Sequence, residues 1–152
     1  MQETNNRPAP QITLSIVTYN SEKWLAAFFQ SLFQQNLPCD QIALCVLDNG
    51  STDNSFAWLS KQQAVLSQKF ASLSLNQGQN IGFGLGHNFN LALTTTPYFW
   101  VTNVDLEFEP DSLTTLLATA QQDSSQALSN GSIAAWECRQ KPYEHPKDYH
   151  PV

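Results

Sequence analysis

Apolar and polar positions along the chain switch repeatedly between a strand period and a helix period, and the switching predicts the elements in order. Ile12, Leu14 and Ile16 begin a first strand that ends at Thr18-Tyr19-Asn20. Ser21 is then placed as an N-cap, and Leu25, Phe28, Phe29 and Leu32 trace one face of a helix that must stop before Pro38. Ile42 to Leu47 is a continuous apolar run closing on Asp48-Asn49-Gly50-Ser51-Thr52-Asp53, after which Phe56, Leu59 and Leu66 predict a second helix. Phe70 to Leu75 predicts a third strand, followed by the glycine-punctuated stretch from Asn80 to Asn88 and a short helix through Phe89, Ala92 and Leu93. Tyr98 to Val101 predicts a fourth strand ending in Thr102-Asn103-Val104-Asp105, and a helix carrying Leu113, Leu116 and Leu117 starts near Pro110. Ser132 to Cys138 offers one more strand before a tail containing Pro, His and Tyr.

Strands at this spacing, buried on both faces and joined by helical crossovers, give an α/β fold with a mostly parallel sheet and right-handed connections. In such sheets ligands sit beyond the carboxyl ends of the strands. All four well-defined strands end in polar segments there: Tyr19-Asn20, Asp48-Asn49, Asn76-Gln77 and Asn103 to Asp105. Turns favour Asn, Asp and Gly for backbone reasons alone, so any one end reads as a turn. Four on one rim read as a pocket.

The composition narrows what the pocket can hold. With 152 residues, 41% of them hydrophobic, the chain suits one domain with its own core, over 11–138, between an N-terminal tail at 1–10 and an extended C-terminal tail at 139–152. Seven Lys plus Arg against thirteen Asp plus Glu give a net charge of -6, which argues against nucleic acid and against a polybasic membrane patch. Cys39, Cys45 and Cys138 are odd in number and follow no metal-ligand spacing, which suits unpaired thiols in a reducing compartment. The polar start, Met1 to Pro10, does not have the pattern of a secretory signal, and no run reaches the length of a membrane span, so the expected location is the cytoplasm, with attachment to a membrane complex through a partner left open.

Between Phe70 and Cys138 there is no Lys or Arg, whereas Asp105, Glu107, Glu109, Asp111, Asp123 and Glu137 all fall there. An anion bound at that end needs helix N-termini, backbone amides or a divalent cation held by carboxylates, and Asp105 just past a strand is placed for the last. Glu107, Glu109 and Asp111 read instead as a solvated acidic turn favouring the following helix N-terminus. An ionised Asp48 at a strand end can accept from an imide N–H, which separates uracil or thymine from cytosine; the alternative is that it caps the Asn49-Gly50 turn. Gly82, Gly84 and Gly86 can admit a sugar or phosphate to the backbone, although their spacing is not a dinucleotide fingerprint. His87 is a candidate for donor contact or, equally, for packing.

The ordered set of motifs resembles the family 2 glycosyltransferases of GT-A fold, from about Gln11 to the end of the chain. Ile16 to Ser21 looks like the family's opening strand and nucleotide-binding loop, and Leu47 to Asp53 is similar to its second-strand motif, whose first aspartate contacts the base. Asn80 to Gly84 with His87-Asn88 resembles the segment preceding the metal motif. Asn103-Val104-Asp105 sits where the family places its Asp-x-Asp-like element, here with Asn103 for the first aspartate and Val104 where proline is usual, so that it carries one carboxylate. The resemblance is to a rhamnosyltransferase-like branch. It implies a GT-A, Rossmann-like sheet flanked by helices, and a UDP- or dTDP-sugar transferred with inversion to an acceptor hydroxyl, in polysaccharide biosynthesis. It also implies nucleotide-binding roles for Thr18, Tyr19, Asn20, Asp48, Asn80, Gly82 and Asn103, and Asp105 as ligand of a divalent cation, Mn²⁺ or Mg²⁺. The family's acceptor-side half and its general base are expected to be missing, so no catalytic residue is assigned, and a membrane-associated glycan-assembly partner or a homodimer is compatible with this. The competing expectation is a non-catalytic nucleotide-sugar-binding or interaction module; a flavodoxin-like phosphate-binding domain is more distant.

Overall fold

Two seven-residue runs, ITLSIVT with no charged residue and IALCVLD with one only at its last position, form the centre of the sheet because each can be covered on both faces. The computed structural model describes residues 9–126 and 135–138. Its elements are β1 (Ile12–Thr18), α1 (Glu22–Phe33), a 3₁₀ turn (Cys39–Gln41), β2 (Ile42–Asp48), α2 (Ser55–Lys69), β3 (Ser72–Gln77), α3 (Phe83–Ala92), β4 (Tyr98–Thr102) and α4 (Ser112–Gln126). The strands are all parallel, in the order β3-β2-β1-β4. Thr18 lies level with Asp48, Asp48 with Gln77, and Ile16 with Thr102, so the four carboxyl ends share one rim. Every residue of β1 and β2 is buried, whereas β3 and β4 are largely half-buried. Burial on both faces therefore holds for the central pair only, because an edge strand has a neighbour on one side alone.

Register assigns the helices to faces. Trp100 pairs with Leu14, and the Phe108 ring touches both Trp100 (5.9 Å between centroids) and Phe28 of α1 (5.5 Å), so α1 covers the face that carries Leu14 and Ile16. Leu25, Phe28, Phe29 and Leu32 of α1 are all buried, as their spacing predicts. Phe29 stacks on Trp58 of α2 at 5.5 Å, which places α2 beside α1. The opposite face, with Ser15 and Val17, receives α3. Contact there is close: a Cβ on Gly86 would stand 2.9 Å from both methyls of Val17, so only glycine lets the helix sit this low.

Two elements depart from the pattern. The third strand begins at Ser72 instead of Phe70, because Phe70 ends α2, its amide donating to the Leu66 carbonyl (3.0 Å) and its side chain fully buried. Helix α3 begins at Phe83 and turns Gly86, His87 and Asn90 inward, leaving Phe83, Leu85, Phe89, Leu91 and Leu93 exposed. The apolar face expected through Phe89, Ala92 and Leu93 is thus the outer one, since the inward polar side chains bond to β1 and β2.

By its contacts the chain falls into two compact units, Met1–Thr114 with the sheet and Thr115–Val152. In the second, the Trp136 indole N–H donates to Asp123 (2.7 Å). Residues 135–138 have no regular structure, so the strand expected over Ser132 to Cys138 is not formed there, Trp136 being tied by its side chain to Asp123; 132–134 lie outside the described residues, as do 1–8 and 139–152. Cys39, Cys45 and Cys138 are free thiols, each raised above its usual range first of all by burial. Among the described residues no helix is long and apolar enough to cross a membrane.

If Gly86 is the contact that sets the depth of α3, Gly86→Val forces that helix off Val17 and lowers stability by about 2 kcal/mol. The shift of the urea midpoint measures it; an unchanged midpoint would mean that α3 is not held at this depth.

Candidate functional site

In a sheet of this order the chain runs outward from β1 through β2 to β3 and then returns to the other side of β1 as β4. The connections diverge between β1 and β4, which is where an open α/β sheet leaves a crevice beyond its carboxyl ends. The segments after β1 (Tyr19, Asn20) and after β4 (Asn103 to Asp105) flank that point, and those after β2 and β3 lie beside it.

At the centre of the rim, Asp48 is fully buried. One carboxylate oxygen accepts the Thr18 hydroxyl (3.0 Å) and the other the Ser51 amide (3.2 Å). Thr18 is thus the partner of Asp48, and the Ser51 bond is the turn cap weighed against a base-binding role. Tyr19, next along, is 51% exposed, an aromatic face at the mouth of the rim.

Asn20 has a left-handed backbone, φ 50°, a conformation that asparagine tolerates better than most. Its amide donates to the Ser51 hydroxyl (3.0 Å), and its side-chain oxygen accepts the Thr52 amide (2.8 Å) and hydroxyl (3.2 Å). That oxygen braces the loop after β1 against the loop after β2. The Ser21 amide donates to the Ser55 hydroxyl (2.8 Å), and the Asn54 side chain donates to Glu22 (3.1 Å). Ser21 stands at the N-cap position of α1 without capping it, its hydroxyl being turned to the Tyr19 carbonyl (3.2 Å). Asp53 does that work from the other loop: one oxygen accepts the Glu22 amide at the start of α1 (3.1 Å), the other the Ser55 amide at the start of α2 (2.9 Å) and the Ser55 hydroxyl. Desolvation opposes the Asp53 charge, but the bonds from Ser55 and Glu22 outweigh it and hold the carboxyl below its usual range.

Asn80 follows β3 on the surface. Its side-chain oxygen accepts the Gly82 amide (3.0 Å) and the Asn49 side chain (3.1 Å), and Asn49 in turn accepts the Ile81 amide (2.9 Å). Gly82, at φ 86°, starts α3 with no side-chain cap, and a Cβ on Gly82 or Gly84 would meet nothing within 4 Å. The amide end of α3 is therefore uncapped and uncrowded, the form in which a helix N-terminus takes an anion. Beneath it, His87 is buried: its Nδ1 meets the Ser15 hydroxyl (2.7 Å), and burial pushes the imidazole below its usual range. The Asn90 amide donates to that same hydroxyl (3.0 Å) and to the Ile16 (3.1 Å) and Cys45 (3.3 Å) carbonyls. Of the two roles open to His87, packing is the one this placement supports.

Asn103 and Asp105 are exposed after β4, with Val104 buried between them. Among the described residues no three His, Cys, Asp or Glu side chains converge to hold a metal ion. Asp105 fits a cation that draws most of its ligands from phosphate oxygens and water, as Mg²⁺ does, and not one enclosed by protein. Glu107, Glu109 and Asp111 are exposed as a solvated turn. The residues that sequence reasoning left out of the site are Asn49 and Asp53; both stand in the Asp48 to Asp53 run, where their side chains could have been read as loop braces.

The sequence profile described as Glycosyl transferase family 2 matches residues 13–149. Poly(ribitol-phosphate) beta-N-acetylglucosaminyltransferase TarS of Staphylococcus aureus is 30% identical over 95 residues, 62% of this chain and 16% of TarS. The crystal structure of S. aureus TarS 1-349 has a TM-score of 0.65 at 23% identity, covering 74% of this chain and 33% of that one; TarS 1-349 is also solved in complex with UDP-GlcNAc. Mannosyltransferase PcManGT from Pyrobaculum calidifontis, in complex with GDP-Man and Mn²⁺, has a TM-score of 0.61 at 21% identity, covering 72% of this chain and 31% of that one. Likeness at these structural identities shows the GT-A fold. The chain spans about a sixth of the length of curated TarS.

Because the Asp53 carboxyl is depressed in the folded state, its contribution is complete above the unfolded value of about 4 and is lost as pH falls through the lower folded value. Asp53→Asn is therefore less stable than the wild type at pH 7, and the gap narrows below about pH 4. Paired denaturant titrations at the two pH values check this; a gap that stays constant would remove the charge from the brace.

Proposed function

The chain belongs to glycosyl transferase family 2, and on that premise we propose that it binds a UDP- or dTDP-sugar on the rim of its sheet, for inverting transfer of the sugar to an acceptor hydroxyl. The observation that carries the reading is the meeting, on one rim, of the buried Asp48 carboxylate with the uncapped amide end of α3. The first selects a base with an imide N–H; the second receives negative charge without a cationic side chain. In this reading Tyr19 lies against the base, Thr18 fixes the Asp48 carboxylate, Asn20 and Asn80 hold the loops around it, and Gly82 admits the diphosphate. Asn103 and Asp105 close the far side.

The leaving diphosphate gains charge as the glycosidic bond breaks, and dipoles already aimed at it lower that barrier without reorganising. A Mn²⁺ or Mg²⁺ ion on Asp105 would add its charge to the same group. The acceptor hydroxyl needs a base, and none is assigned here. The donor-binding domain is taken as 11–138, with 1–10 and 139–152 as tails. The UDP-GlcNAc complex of TarS favours a UDP-sugar, and the motif pattern of a rhamnosyltransferase-like branch favours a dTDP-sugar; both fit an imide-selecting Asp48. Work in the cytoplasm beside a membrane-associated glycan-assembly partner, alone or as a homodimer, belongs to the same reading.

A second reading, a non-catalytic module in which Asp48 serves only as a turn cap, is favoured by its full burial and by its bond to the Ser51 amide. A base reaches that carboxylate only by sharing it with Ser51 or displacing the amide.

Calorimetry separates the two. Under the first, UDP or dTDP binds at least about tenfold more tightly than CDP; equal affinity for UDP and CDP leaves Asp48 as a cap. For the cation, EDTA weakens UDP binding by about tenfold in the wild type and has no effect in Asp105→Ala, whose melting curve stays put because the residue is exposed. Unchanged wild-type affinity in EDTA would assign the diphosphate to α3 alone.

A further inference from the structure

From Phe70 to Val104 the chain carries no Asp, Glu, Lys or Arg, and His87 stands in that stretch with 5% of its surface exposed. One of its ring nitrogens is satisfied in either charge state: Nδ1 meets the Ser15 hydroxyl (2.7 Å), an oxygen that can give a hydrogen or take one. The other is not. Nε2 is buried with no hydrogen-bond partner among the described residues, and so is Asn90 Oδ1, an acceptor three residues on that does not reach it. Asn90 is not free to swing across, since its NH₂ group is held by the Ser15 hydroxyl (3.0 Å) and by the Ile16 (3.1 Å) and Cys45 (3.3 Å) carbonyls.

A second ring proton makes both nitrogens donors, and Nε2–H then points at no acceptor, whichever proton arrived last. Nor is there a counter-ion. By strand alternation β1 turns Thr13, Ser15 and Val17 toward α3, and β2 turns Cys45 and Leu47; Cys45 is the one titratable group among them, a thiol that burial raises and so keeps neutral. Among the described residues β3 and β4 bring no titratable side chain to that face, and α3 itself has none besides His87. Asp48 closes β2 but alternates with Leu44 and Val46, onto the α1 face. The Phe83 ring stands 4.3 Å from the imidazole at 72°, and an aromatic ring returns to a cation much less than water does. Burial accordingly pushes the imidazole below its usual value of 6.5.

Helix α3 is lightly held in other respects. Leu85, Phe89, Leu91 and Leu93 are exposed, so its grip on the sheet rests on Gly86 against Val17 and Leu47 and on the polar group of Ser15, His87 and Asn90. An element seated by few buried apolar side chains opens locally at a lower cost than the whole fold. We propose that His87 is an acid-sensitive latch: neutral, it lets α3 sit on β1 and β2, and on taking a second ring proton it releases the helix while the α1 face stays in place. Opening hydrates the ring and returns it to its unfolded value of 6.5, so the lifted helix binds a proton that the seated one refuses. Seating is therefore complete above that value and is lost as pH falls through it toward the lower folded value. One proton gained on opening sets a ceiling of about tenfold per pH unit on the effect. The proposal makes no use of the donor reading.

The test follows the imidazole resonances of the full chain by NMR from about pH 8 to about pH 5, with His87→Gln identifying the His87 signal by its loss, and measures amide exchange protection over the same range. Gln keeps a hydrogen-bonding group toward Ser15 and has no proton to take. His87 is expected to titrate below 6.5 in the wild type. Protection at the Gly86 to Asn90 amides is expected to fall severalfold with acid while that at Phe28 and Phe29 of α1 holds, and His87→Gln is expected to flatten the α3 profile. Where the variant fails to fold, the wild-type titration and the contrast between α3 and α1 decide alone. A His87 midpoint at or above 6.5, equal losses in α1 and α3, or the same α3 profile in His87→Gln would overturn the latch.

Discussion

The structure depends on one junction, the place where β1 and β2 end side by side and their loops are tied to each other. Parallel strands leave their chains on the same rim, and each loop must then satisfy its own backbone groups without a ladder. Here the two loops satisfy one another. Asn20 accepts from Thr52, Asp53 accepts at the start of both α1 and α2, and Ser55 accepts the Ser21 amide. The first turn of α1 is therefore fixed by Asp53 of the partner loop, and that of α2 by Asp53 of its own loop together with Glu22 and the Ser21 amide across the junction, while neither N-cap residue makes a side-chain cap. Since α1 covers one face of β1 and α2 lies beside it, the placement of buried Phe28 and Phe29 and of half-buried Trp58 follows from this exchange of hydrogen bonds.

The opposite face is organised on a different principle. Helix α3 turns a histidine and an asparagine toward the sheet and its large apolar side chains away from it. Ser15 with the Ile16 and Cys45 carbonyls partners His87 Nδ1 and the Asn90 NH₂ group, while His87 Nε2 and Asn90 Oδ1 are buried without a hydrogen-bond partner among the described residues. The Asn90 NH₂ group donates to the Ser15 oxygen, and the same hydroxyl meets His87 Nδ1, so one side chain of β1 ties down two of α3. Hydrogen bonds are directional where hydrophobic contact is not. A polar underside therefore sets the rotation of α3 as well as its distance, and its rotation decides where the amide end points.

This contrast explains which parts of the fold were legible in the sequence. Strands β1 and β2 and helix α1 follow from periodicity because their burial is purely apolar: Leu25, Phe28, Phe29 and Leu32 can pack on nothing but the inner face. Helix α3 defeats the same reasoning. Its apolar residues outnumber its polar ones, yet the inward positions are set by hydrogen bonds to Ser15, a residue more than seventy positions away in the chain. The rim was legible as a set of strand ends but not as a network. Asp48, Thr18, Asn20 and Asn80 could be picked out by type, whereas the bonds that join them cross from one loop to another at separations of about thirty residues, which no local pattern records. The same blindness hid Asn49 and Asp53, whose importance lies wholly in what they reach.

Charge completes the account of the rim. The segment from Phe70 to Cys138 lacks Lys and Arg, so on the proposed reading an anion at the amide end of α3 draws no cationic side chain from that segment. Lysine and arginine neutralise a phosphate wherever their long side chains can follow it, whereas a helix end acts only along its own axis and only within its first turn. A site of the second kind tolerates little misalignment. It therefore requires a rigid seat, and the seat is visible: Gly86 against Val17 sets the depth of α3, His87 and Asn90 set its rotation, and the Asn49 to Gly82 relay sets where it begins. The side-chain hydrogen bonds around the ends of β1 and β2 give the scaffold the rigidity that the proposed dipole-based anion site would demand.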